Sequence, residues 1–132
     1  MRFLGIGHYN DLASMCSGLV ARGNQVRVFI LDPAYRNVHR GPLETTPDWQ
    51  QNLQWIQDAG KEGTIIFECA DKGGIQNQLR EQRFRVIGGS QLGNQLESNR
   101  EFGQQTFRSM GLQTASSYSF SSYVEAIRFL QL

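Results

Sequence analysis

Two compact apolar runs, from Arg2 to Gly7 and from Gln25 to Leu31, stand on either side of a single helical stripe. Within the stripe Leu12, Met15, Cys16, Leu19 and Val20 recur at three- and four-residue steps, the spacing that lines up one face of a helix. Asn10 or Asp11 is placed to cap its start, and Gly23-Asn24 to end it. The first run stops at glycines, and the second, rich in β-branched residues, stops at Asp32-Pro33. Strand, helix and strand within about 30 residues is a βαβ unit, which implies parallel strands and a helix packed on the sheet.

The rest of the chain repeats that rhythm. Residues 32–48 carry all 3 prolines without apolar periodicity and read as a long surface loop. Pro47-Asp48 then introduce a helix with Trp49, Leu53, Trp55 and Ile56, in which the two tryptophans read as packing residues. A third strand is expected over 64–69, a polar helix over 75–83, a fourth strand over 84–87 and one long helix over 95–110. Residues 114–120 suit one more strand, and Ser121 or Ser122 caps a final helix that puts Tyr123, Ala126, Ile127 and Leu130 on one face. Nothing later in the sequence covers that stripe. It reads as part of something longer, or as a surface on which two copies meet.

Length and charge narrow the function. At 132 residues the chain is long enough for a core without disulfides or metal. A formal charge of +1 gives no long-range field to gather nucleic acid or an anionic membrane. Lys61 and Lys72 are the only lysines, so a phosphate site must rest on arginine or on backbone amides. Cys16 and Cys69 form no metal-ligand pattern and read as reduced thiols. The N-terminal residues carry no signal-peptide core and no run approaches the length of a membrane span, so a cytoplasmic setting is expected.

In a parallel sheet, ligands sit beyond the carboxyl ends of the strands. The first such loop, Gly5-Ile6-Gly7-His8-Tyr9-Asn10, begins like a dinucleotide fingerprint but has Asn10 where the third glycine belongs. With Asp32 after the second strand it partly imitates an NAD(P) site. A tight turn with nothing bound fits the same residues. His8 is a candidate acid or base. Glu68 and Asp71 lie on the same edge and suit an amine or a ribose hydroxyl, or simply a cap or turn.

Residues 86–120 carry a resemblance. Val86-Ile87-Gly88-Gly89-Ser90, then Leu96-Glu97-Ser98-Asn99-Arg100-Glu101-Phe102, then Met110-Gly111-Leu112-Gln113-Thr114-Ala115 are similar in order and spacing to a junction segment of ATP-grasp ligases, most closely the phosphoribosylamine-glycine ligase family. Tyr118, Phe120 and Glu125-Ala126 resemble its continuation. The resemblance implies a Rossmann-like pre-ATP-grasp domain over 1–93, with a parallel sheet of about four strands in the order 2-1-3-4. It implies that residues 94–132 begin a truncated ATP-grasp domain. The implied function is substrate positioning in an ATP-dependent carboxylate-amine ligase of purine biosynthesis. ATP and Mg2+ would serve the full-length enzyme, while this segment alone would bind neither and be inactive.

Gly5, Gly7, His8, Asn10 and Glu68 are then the substrate-binding candidates, and Arg100 takes the position of a basic residue near the nucleotide phosphates. No catalytic residue and no metal ligand is assigned. The expected partners are small-molecule substrates, the ATP-grasp domain beyond residue 132 and a second copy of the chain. The loops after the first and third strands depart from the family's usual pattern, which leaves the acceptor amine open. Two alternatives remain: a dinucleotide-binding domain using Gly5, Gly7 and Asp32, and a non-catalytic interaction module of the same fold.

Overall fold

The computed structural model describes residues 1–38, 41 and 43–131. Residues 39, 40 and 42, inside the expected surface loop, and residue 132 lie outside that description. The chain divides into two compact units, Met1–Asn94 and Gln95–Leu132.

The first unit is built on a wholly parallel sheet. Strands β1 (Arg2–Gly7), β2 (Gln25–Ile30), β3 (Glu44–Thr46), β4 (Gly63–Phe67) and β5 (Val86–Ile87) lie in the order β3-β2-β1-β4-β5. The expected order of the four strands read from the sequence is met by β2-β1-β4-β5. The additional strand β3 corrects the reading of 32–48 as loop throughout, because Glu44–Thr46 pairs with Arg27–Phe29. Three polar residues on a sheet edge carry no apolar signal, since only backbone pairing holds them there. In the same segment Arg36 donates from Nε to the Ile30 carbonyl and from Nη2 to that of Leu31, tying the chain to the end of β2.

Alternation along the strands splits the core into two layers. Phe3, Val26, Val28, Ile30 and Ile66 face helix α1 (Ala13–Ala21), with Ala13 and Cys16. Leu4, Ile6, Phe29, Ile65 and Phe67 face the opposite side, with Ile56 of α2 (Leu53–Gln57) and Leu79 of α3 (Gly73–Glu81). A parallel sheet covered on both faces explains why the strands read as continuous apolar runs. Met15, placed on the buried stripe from its spacing, is 44% exposed.

Arg27 breaks the pattern and organises one corner. It pairs with Glu44 at 2.8 Å, donates to Asn52 Oδ1 at 3.0 Å and lies 4.4 Å from the Trp55 ring centroid. Asn52 is buried and donates from Nδ2 to Thr46 Oγ1 and to the Asp48 carbonyl, both at 2.8 Å. One amide thus joins β2, β3 and the segment leading to α2, with both of its polar atoms satisfied. Trp49 and Trp55 pack against the core, as their spacing predicts.

The expected single helix over 95–110 is two, α4 (Gln91–Ser98), which begins in the first unit, and α5 (Arg100–Ser109) in the second. Asn99 separates them: its backbone is extended and its Oδ1 accepts from Phe102 N at 3.0 Å. A local side-chain bond of this kind competes with helix continuation. Residues 114–120 form no strand, which corrects that expectation; Tyr118 and Phe120 are engaged through their rings by a helix, and no described strand pairs with their backbone. Helix α6 (Tyr123–Leu130) starts at Ser122, and its Phe129 packs with Tyr118 and Phe120 at ring distances of 4.6 and 5.2 Å. Tyr123, Ile127 and Leu130 remain exposed.

Candidate functional site

Strand order reverses direction between β1 and β4, so the loops leaving these two strands diverge and leave a crevice at the carboxyl edge. Such switch points are where open α/β sheets bind ligands. Ile6, Gly7, His8, Phe67, Cys69, Asp71 and Lys72 line it.

Glu68 stands between two of the crevice's lining residues in sequence, Phe67 and Cys69. It follows β4 directly, and its carboxylate turns toward the β1–α1 loop. Oε1 accepts from the backbone N–H groups of His8 and Tyr9 at 3.3 and 3.2 Å, and Oε2 from that of Asp11 at 3.1 Å. In a dinucleotide fold these are the amides that receive a pyrophosphate. Here a carboxylate from within the chain has taken that place. Gly7 is required by the same contact, because a Cβ at this position would fall on the Glu68 carboxylate.

The other predicted residues serve the loop in different ways. Gly5 lies deeper, where a Cβ would meet Cys16 Sγ at 3.3 Å and Leu12 Cδ1 at 3.4 Å, so its absence lets α1 approach the sheet closely. Asn10 is buried with φ +77°, the left-handed conformation for which a third glycine would serve, and Nδ2 donates to the Val38 carbonyl at 2.9 Å. Its Oδ1 is buried without a partner. Asp32 accepts from Ala34 N at 2.9 Å and caps the turn Pro33–Tyr35. The acid expected of an NAD(P) site is therefore engaged in local structure, and the neighbouring anion pocket is filled.

His8 forms the first ring of an aromatic row. It meets Tyr9 at 4.2 Å between centroids, and Tyr9 meets Tyr35 edge-on at 5.3 Å. Tyr9 is 49% and Tyr35 41% exposed, and within the row it is His8 that lines the crevice. Sequence reasoning passed over both; they could have been found as the only tyrosines in the first two strand-to-helix loops.

Electrostatically the crevice is negative. Burial raises the Cys69 thiol above its ordinary value, and Glu68, Asp71 and Asp11 raise it further, while Lys72 acts in the opposite sense. Lys72 pairs with Asp71 at 3.9 Å. Three carboxylates against one ammonium repel phosphate and favour a cation or a hydrogen-bond donor. Cys69 is correspondingly a thiol and not a nucleophilic thiolate at neutral pH.

Arg100 belongs to the second unit. It opens α5 directly after the Asn99 cap and is exposed, and the ion pairs found among the described residues do not include it. Among the described residues no three His, Cys, Asp or Glu side chains converge in a way that would hold a metal ion. No described helix is long and apolar enough to cross a membrane.

No protein-family profile matches the chain, and no curated protein matches its sequence. Its fold is similar to that of N5-carboxyaminoimidazole synthetase from Staphylococcus aureus. With the ADP complex of that protein the TM-score is 0.60 at 17% identity, over 98% of this chain and 35% of the other. A second structure of the synthetase gives 0.61 at 19% identity with the same coverage. The likeness establishes a shared α/β fold, and the chain spans about a third of the solved chains' length.

Proposed function

We propose that this chain is the N-terminal, substrate-positioning part of an ATP-dependent ligase of the ATP-grasp type, and that the loops at the carboxyl edge of its sheet face the acceptor amine. The observation that carries the reading is the occupation of the His8, Tyr9 and Asp11 amides by Glu68. A loop whose anion site is already filled does not take a nucleotide phosphate. The carboxylates around Cys69 add a field that draws a positive or proton-donating group. The solved structures similar in fold are named for the synthesis of an N5-carboxyaminoimidazole, and one holds ADP. A planar amine of that class suits the exposed Tyr9 ring, which offers stacking surface next to His8.

In this reading ATP binds elsewhere in the enzyme. Arg100 supports its phosphates through paired donors on a permanently charged group. The chain's own part is to orient the amine and exclude misplaced substrates.

Calorimetric titration of the chain with an aminoimidazole nucleotide, and separately with NAD, tests the proposal. Saturable binding of the aminoimidazole, weakened by Asp71→Asn or Tyr9→Ala, is expected. Tight NAD binding would overturn it in favour of the dinucleotide reading. Binding of neither compound would leave the non-catalytic module as the better account.

A further inference from the structure

A cleft lies at the opposite end of the sheet, at the amino edge of β4 and β5. It encloses about 340 Å³ and is lined by Ile56, Gln57, Gly60, Lys61, Gly63 and residues 82–85. We infer that this cleft is a binding site for a phosphate-bearing anion, held by Lys61, Arg83 and Arg85 against an apolar wall of Ile56 and Phe84.

Charge is the first support. The lining residues include three cations and no carboxylate. Glu62, next in sequence to Lys61, has its carboxylate 4.0 Å from the Met1 amino group. Arg85 is held in place by a hydrogen bond from Nη1 to the Lys61 carbonyl. Lys61 and Arg83 take part in none of the ion pairs found among the described residues. The cleft also receives the carboxyl ends of α2 and α3, whose dipoles favour cations. Each dipole amounts to about half a charge and fades within a turn. The last carbonyls of α3 are moreover already bonded, Gln78 to Gln82 N, Leu79 to Phe84 N and Arg80 to Arg83 N. Three full positive charges leave the cleft positive after both dipoles are counted.

Backbone strain is the second and independent support. Arg83 ends α3 with φ +70°, in the left-handed region where glycine is the usual residue. The turn itself does not need an arginine, and a non-glycine residue here is held against its conformational preference. The turn thereby places Arg83 among the residues that line a positively charged cleft. With its planar donors, arginine suits the oxygens of a phosphate better than lysine does.

The proposal is independent of the reading of the carboxyl-edge crevice, and the test uses inorganic pyrophosphate as the probe. Titration of the whole chain should show saturable binding with a Kd of about 1 mM or tighter. Arg83→Gly should weaken it about tenfold while keeping or raising the melting temperature, because glycine relieves the strained turn. Lys61→Ala should weaken binding similarly, and Lys72→Ala, at the other end of the sheet, should leave it unchanged. Lack of saturable binding, or binding that Arg83→Gly leaves intact, would overturn the assignment.

Discussion

The carboxylate of Glu68 occupies the space that a side chain on Gly7 would need. The two residues are 61 positions apart in sequence, and their contact closes the loop that a dinucleotide fold leaves open for phosphate. Gly7→Ala should therefore displace Glu68 and unfasten the His8, Tyr9 and Asp11 amides. Loss of charge-assisted bonds of this kind costs about 1.5 to 3 kcal/mol. A urea midpoint lowered accordingly is expected, with faster exchange at those three amides. A variant as stable as the parent would show that the loop does not depend on Glu68.

Asn52 offers a test of the corner formed by β2, β3 and α2. Asn52→Ala removes the acceptor for Arg27 and the donor to Thr46 and Asp48. Leaving buried partners unsatisfied costs about 1 to 3 kcal/mol. Chemical denaturation should place the loss in that range, well above that of an exposed control such as Gln54→Ala.

A pH dependence follows from Cys16. Burial pushes its thiol up to about 11, whereas an unfolded thiol ionises near about 8.5. The folded state thus keeps the proton longer. The stabilisation is complete below the unfolded value and is lost as pH rises through the folded one. Stability measured from pH 8 to pH 11 should fall more steeply in the parent than in Cys16→Ala, about a unit scale of proton linkage. Parallel curves would mean that the site is open to water.

Helix α6 supplies the acid-side counterpart. Hydrogen bonds from the Ser121 hydroxyl and amide hold the Glu125 carboxyl below its ordinary value. A depressed carboxyl stabilises above its unfolded value, about 4.3, and that contribution disappears as pH falls through the folded value. Fraying of the first turn of α6 on acidification, seen as loss of protection at Ala126 N, is expected, and Glu125→Gln should fray already at neutral pH. Protection unchanged by acid would show that the Ser122 cap alone suffices.

Much of the scaffold was readable in the residues. β1, α1 and β2 follow from apolar spacing because they are covered from both sides, and Asn10 stands where the fold wants a left-handed residue. β3 was not readable, since Glu44–Thr46 joins the sheet through its backbone alone. The helix break at Asn99 depends on one side-chain bond that competes with helix continuation. At the candidate site Gly7, His8 and Glu68 were visible as neighbours on one edge, but the bond between Glu68 and the loop was not. It requires folding to bring β4 beside β1. The signal available was a glycine pair after one strand and a lone carboxylate after another.

The claim that Glu68 fills the loop's anion site is tested most directly by residue-resolved amide NMR of the parent and Glu68→Ala during titration with inorganic phosphate. In the parent the His8, Tyr9 and Asp11 amides should not respond, because the Glu68 carboxylate holds them. In Glu68→Ala the same three resonances should shift together and saturate, as phosphate takes the vacated position. Phosphate-dependent shifts of these amides in the parent would contradict the account.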